Sequence, residues 1–268
     1  MREATVQDIA GLIEAFAPCN LAANWDNVGL QIGGRDWPVH RVRVALDAAR
    51  TVIDAAIRDR ADMLVTHHPL LFRPVKTLDF STPIGRILEK AFHHRLAIYS
   101  AHTNLDRVTG GINDTLARRL GLENALPVNS ESVDEDAGFF RIGILTPPQN
   151  LSEYAKCLKE RLGIPHLRFA GEAKTAIRKV ALCAGSGSGF VDLFLDSDAG
   201  VFVSGDLKYH DARKVEDHGR ALIDIGHFYS ENLFLDVWID QLREAIDKNK
   251  WDVDVERCTR ETDPFTVL

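Results

Sequence analysis

Long apolar runs are missing from this chain of 268 residues. No stretch approaches the ~18–20 consecutive apolar residues that a helical membrane span requires, so no membrane association is expected. Paired cysteines are missing too. Cys19, Cys157, Cys183 and Cys258 are scattered without a CxxC spacing, which excludes a thiolate zinc site and leaves nitrogen and oxygen as the donors for any metal. Basic residues are in deficit, 32 Lys and Arg against 39 Asp and Glu for a net charge of −7. That balance argues against a protein built to neutralise nucleic-acid phosphates. HExxH, GxSxG and GxxxxGK[ST] are all absent, so the common zinc-protease, serine-hydrolase and P-loop chemistries fall away. The opening residues lack the apolar core of a secretory signal, and unpaired thiols suit a reducing compartment. A cytoplasmic location is expected.

What is present is globular. Hydrophobic residues make up 45% and charged residues 26%, ordinary values that allow one or two domains at this length. Thr5 with Asp8 predicts a capped helix over 5–17, its apolar face drawn from Ile9, Leu12, Ile13 and Phe16. Strands are predicted over 42–47, 62–66 and 96–100, with helices over 51–60, 83–94 and 111–120. From 123 to 138 the periodicity lapses into Pro127, Asn129, Ser130, Ser132 and acids, which predicts a linker over 126–138. Beyond it strands at 139–145, 178–183, 200–204 and 221–225 alternate with helices at 151–162, 190–196, 209–217 and 228–247, before a last strand at 253–258. This alternation predicts an α/β fold of two lobes, 1–125 and 139–268, with mixed sheets flanked by helices.

Four polar segments stand where a predicted strand gives way to a loop or helix: His67-His68-Pro69, Ser100 to Asp106, Ser204 to His210, and Gly226 to Glu231. In α/β proteins ligands bind at the carboxyl ends of strands. His227 and Glu231 are four apart and share a helix face. Joined by Asp106 and the imidazoles of His67 and His68, they form a mixed N/O set suited to Zn, Mn, Fe or Ni. Consecutive residues in extended chain point to opposite sides, so His67 and His68 are expected to flank a pair of ions. Asp106 or Glu231 could then bridge the two. Each piece also has an ordinary reading. The second pair, His93-His94, closes a predicted helix, where imidazoles favour the negative end of the dipole. Asp106 could cap a turn. Gly185 to Gly189 reads either as an anion cradle or as a tight turn, and Trp25 either as core or as a stacking surface for a base.

Taken in order, Trp25 to Leu30, Thr66 to Pro69, His102 to Asp106, Gly185 to Gly189, Ser204 to His210 and Gly226 to Glu231 resemble the family of GTP cyclohydrolase 1 type 2 homologues, Nif-three-like proteins with a dinuclear metal centre. The resemblance implies two similar α/β lobes with the dinuclear site between them and no inserted third domain. It implies His67, His68, Asp106, His227 and Glu231 as ligands of two divalent ions, with Glu231 bridging. It implies a ring-shaped homohexamer, and a hydrolase acting on a nucleotide through a metal-bound hydroxide, with His102 and His210 moving protons. The alternative is a non-catalytic, metal-binding hexameric scaffold that engages a partner protein. A ring that encircles a nucleic acid is disfavoured by the charge balance.

Overall fold

The computed structural model describes residues 3–128 and 138–267. Along the chain the elements are α1 (Val6–Phe16), β1 (Gly29–Ile32), β2 (Arg41–Ala45), α2 (Arg50–Arg58), β3 (Met63–Thr66), α3 (Pro83–His93), β4 (Ala97–Ser100), α4 (Thr103–Arg107), α5 (Ile112–Leu120), β5 (Leu122–Pro127) and β6 (Arg141–Asn150). They continue as α6 (Leu151–Leu162), β7 (Arg168–Ala170), β8 (Ala176–Ser186), α7 (Val191–Asp196), β9 (Val201–Gly205), α8 (Tyr209–Asp217), β10 (Ala221–Asp224), α9 (His227–Asn232), α10 (Leu235–Lys248) and β11 (Asp254–Arg257).

These elements form two mixed sheets flanked by helices, as the alternation predicts. One sheet has the order β1-β4-β3-β2-β11, the other β5-β6-β8-β9-β10-β7. In the first, β4, β3, β2 and β11 run parallel and β1 is antiparallel at the edge. In the second, β8, β9 and β10 run parallel, with antiparallel strands beyond them. Every residue of β3 and β10 is buried, which is why each reads as an apolar run without alternation up to its last residue, Thr66 or Asp224. The start of α1 carries the expected capping box: Asp8 N donates to Thr5 Oγ1 at 3.3 Å and Thr5 N to Asp8 Oδ2 at 2.9 Å.

The compact units differ from the lobes expected at 1–125 and 139–268. One unit joins residues 1–108 to Leu235–Thr262, and the other takes Thr109–Phe234 with Asp263–Leu268. Two local misreadings explain the difference. Residues 126 and 127, expected as linker, instead close β5, an edge strand against β6 whose register shifts between Glu123 and Leu126. Asn124 sits there at φ 51, and the irregularity erases the alternation a strand would show. Residues 129–137 of the expected linker lie outside the described residues. The predicted helix over 228–247 is two helices, α9 and α10, broken at 233–234 where the chain passes from one unit to the other. Leu233, Phe234 and Leu235 are all apolar, so the break leaves no trace in the pattern.

Arg43, buried in β2, is held by Asp59 at 3.6 Å, Asp254 at 2.9 Å and Glu256 at 3.0 Å. The last two belong to β11, so this charge cluster ties the final strand to the first unit's sheet.

Candidate metal centre

In the first unit the site grows from the carboxyl ends of three neighbouring parallel strands, β2, β3 and β4. The exits of β3 and β4 are locked by Ala101 N donating to Thr66 O at 3.0 Å and by a 2.8 Å bond between the Thr66 and Ser100 hydroxyls. His67 and His68 follow β3 directly. Their rings lie on the same side, centroids 4.8 Å apart, which corrects the expectation that they point to opposite faces. Both residues are bends beyond the last strand residue, so the alternation of extended chain no longer applies. His102 joins them at 5.0 Å from His67 and 5.5 Å from His68. Each of the three offers a ligand atom, and these atoms lie within 4.8 Å of one another.

Asp106 does not cap a helix. It sits inside α4, its Oδ1 facing His67 Nε2 at 3.7 Å. Asn104 anchors α4, its amide donating to Ala17 O at 2.7 Å and its Oδ1 accepting from His102 N at 2.9 Å.

Each imidazole is held by its Nδ1. His67 Nδ1 meets the carbonyl of Ala101 at 3.0 Å, His68 Nδ1 meets Asp47 Oδ1 at 3.0 Å, and His102 Nδ1 meets Asp26 Oδ1 at 3.0 Å. A carbonyl or carboxylate oxygen only accepts, so each Nδ1 carries the proton and each Nε2 is the nitrogen turned to coordination. Asp26 has a fully buried side chain and also accepts from the backbone N and hydroxyl of Thr103. Burial pushes its carboxyl up, but the hydrogen bond and charge of His102 and the Thr103 donors outweigh it and hold the pKa at about 2. Asp47 is placed in turn by Glu261, whose carboxylate accepts from Leu46 N at 2.7 Å and Asp47 N at 2.6 Å. Burial raises the Glu261 pKa in spite of those two amides.

A pKa below the unfolded value near 3.9 means that Asp26 stabilises the fold above that pH, a contribution lost as pH falls towards 2. Asp26→Asn is expected to flatten the acid limb of stability between pH 4 and 2. Urea unfolding at stepped pH checks this; an unchanged limb would refute it.

The second unit repeats the plan at the exits of its own parallel strands, β8, β9 and β10. Gly226, at φ 84, turns the chain so that His227 opens α9. His227 Nδ1 donates to Asp206 Oδ2 at 2.8 Å, and Nε2 faces Glu231 Oε2 at 3.2 Å. Glu231 is 4% exposed. Ser230 locks the turn, its Oγ accepting from Gly185 N at 2.8 Å and donating to His227 O at 2.7 Å. A Cβ on Gly205 would lie 2.5 Å from His227 N and 2.7 Å from Gly185 O, so only glycine lets β9 pass beneath the histidine.

Of the two readings of Gly185 to Gly189, the tight turn holds. Gly185 N is taken by Ser230, Gly187 N by Gly205 O at 2.9 Å, and Ser188 Oγ by Asp206 O and Asp211 Oδ2 at 2.8 and 2.6 Å. His210 is exposed on the first turn of α8, edge-on to Tyr209 at 5.3 Å. His93 and His94 are exposed at the end of α3, as the helix-end reading predicts. The sequence reading assigned no orienting role to Asp26, Asp47 or Asp206. Asp47 and Asp206 stand at strand exits like the histidines they orient, so the same rule would have found them. Asp26 reaches that edge because β1 runs antiparallel, with Gly29 paired to Ser100.

Over residues 4–264 the chain matches the family model Duf34/NIF3 (NGG1p interacting factor 3). It is 36% identical over 263 residues to a Clostridium perfringens protein named GTP cyclohydrolase 1 type 2 homolog, covering 98% of this chain and 99% of that one. A Staphylococcus aureus crystal structure superposes with a TM-score of 0.90 at 30% identity, covering 99% of each chain. Reduced HcgD from Methanocaldococcus jannaschii superposes at 0.81 with 29% identity, covering 97% of this chain and 99% of that one. The chain belongs to the DUF34/NIF3 family. Among the described residues no helix is long and apolar enough to cross a membrane.

Proposed function

We propose that this protein is a metal-dependent hydrolase of a nucleotide or related small molecule, in which His67, His68, Asp106, His227 and Glu231 hold two divalent ions from the group Zn, Fe, Mn and Ni. The observation that carries this reading is the shared Nδ1 tether. Three ligand histidines and His102 each give Nδ1–H to a fixed acceptor, Ala101 O, Asp47, Asp26 or Asp206, which turns every Nε2 towards coordination. Such tethers set ring orientation and raise ligand basicity. Bound ions would supply Lewis acidity and a water acidic enough to ionise near neutral pH.

The chain's own residues do the rest. Asp106 and Glu231 add the carboxylates that balance the cations, and their burial strengthens that interaction. His102, fixed by Asp26, is the group placed to hold or pass a proton. His210 earns that role only if His210→Gln lowers turnover at unchanged metal content. The relatives' name brings guanine nucleotides to the head of the substrate panel, with formate release as the readout.

Metal analysis of protein equilibrated with Zn, Mn, Fe and Ni in turn should find roughly two equivalents per chain, and no bound metal would sink the reading. His67→Ala and Glu231→Ala should each lose metal and turnover together, with His94→Ala as the silent control. Asp206→Ala, which removes a tether from a residue at φ 52, should weaken metal binding about 10–100-fold, while Gly163→Ala, which carries comparable backbone strain away from the site, should not.

A further inference from the structure

The loop carrying Trp25 and the loop carrying Phe72 bring two large rings to the surface of the first unit beside His102. Trp25 is 58% exposed and Phe72 49% exposed. Their centroids are 5.8 Å apart with planes tilted by 58°. His102 meets both edge-on, at 6.1 Å from Trp25 and 6.3 Å from Phe72. The three rings form a corner whose imidazole belongs to the histidine set.

Hydrogen bonds hold the residues next to both rings. Leu71, next to Phe72, has its carbonyl held by Asn27 Nδ2 at 2.6 Å and its N by Gln31 Oε1 at 3.1 Å. Gln31 returns to Asn27 O at 2.8 Å. Beside Trp25, Asp26 is fixed by His102 and Thr103. Two loops are thus fastened together by side chains whose effect is to hold large apolar rings in water, where each forgoes roughly 25 cal/mol for every Å² it could bury. Such expense at a fixed surface points to a ligand.

The geometry points to a base-stacking platform: Trp25 and Phe72 bind a planar nitrogenous ring, so that the substrate class is a nucleobase-bearing compound and not an aliphatic phosphoester. One ring's face stacks the base while the tilted neighbour meets its edge, the offset arrangement aromatic groups prefer. A second copy of the chain is the less suitable occupant, because interface cores are depleted of charge and this corner borders Asp26 and three imidazoles. The inference deepens the hydrolase reading for the same site and rests on it for the reacting centre alongside. Stacking itself needs no metal.

The test therefore reads binding, not turnover, on full-length protein after EDTA treatment and again after Mn is restored. Guanosine, adenosine and uridine monophosphates and ribose 5-phosphate are titrated by calorimetry, with tryptophan quenching as a second signal. The monophosphates should bind at least tenfold more tightly than ribose 5-phosphate. Trp25→Ala should remove that advantage, a loss of about tenfold or more, Phe72→Ala should remove part of it, and Trp25→Phe should keep most. Equal binding of monophosphates and ribose 5-phosphate, or a Trp25→Ala protein that binds bases normally, would overturn the platform. So would a Trp25→Ala protein whose sedimentation changes while base binding does not, since the corner would then be covered by a second copy. Failure of the metal reading shows separately, as absent metal in protein that still stacks a base.

Discussion

Gly185→Ala should lower metal affinity at His227 and Glu231 by about 100-fold or more, at least as much as losing a tether. Gly185 lies at φ 69, and a Cβ there would fall inside contact distance of Glu231 Oε1 and 3.5 Å from His227 Nε2. Two effects are superposed: backbone strain, about 1–2 kcal/mol for an L-residue in this region, and displacement of a buried carboxylate from its place beside the imidazole. Two controls separate them. Gly163 has φ 64 with nothing within 4 Å of its Cβ, so Gly163→Ala carries strain alone. Gly189 has open space and no such φ, so Gly189→Ala should change neither stability nor metal content. If Gly185→Ala binds metal like Gly163→Ala, Glu231 is not a ligand held by that glycine.

Arg141→Leu should destabilise the second unit by about 3–5 kcal/mol, the usual cost of breaking a buried ion pair from one side. Arg141 is fully buried in β6 and donates through Nε to Asp114 Oδ1 and through Nη1 to Gly138 O, both at 2.7 Å. Asp114 stands in the first turn of α5 and accepts from Gly110 N at 2.6 Å. Removing the guanidinium leaves that carboxylate with one backbone amide in a poorly solvated place. Thermal unfolding should move down by roughly 6–20 °C. The double variant Arg141→Leu/Asp114→Ala should recover part of the loss, because no orphaned charge remains. A strictly additive double variant would show that the pair does not act together.

Much of the fold was legible because its signals are local. The Thr5–Asp8 cap, the apolar run of β3 and the exits at His67, Asp106 and His227 depend on neighbouring residues. What escaped depends on distant ones. β1 is half-buried along its whole length and shows no alternation, yet it alone brings Asp26 to the histidines. β5 hides behind a register shift. The joint between α9 and α10 lies in an apolar stretch, with neither glycine nor proline to mark it. His67 and His68 were assigned to opposite faces by a rule for extended chain, which they have already left. The candidate ligands, and with them Asp47 and Asp206, could be read from residue type and position, but Asp26 could not be assigned before β1 was placed.

The path of the chain has a consequence for synthesis. The first unit's sheet ends in β11, paired in parallel with β2, and the two are about 200 residues apart. While the chain leaves the ribosome, β2 offers a bare edge throughout translation of the whole second unit, which is nearly continuous in sequence and can fold on its own emergence. The first sheet is thus begun first and completed last. A nascent chain halted before residue 254 keeps the second sheet whole and leaves β2 open to wrong partners.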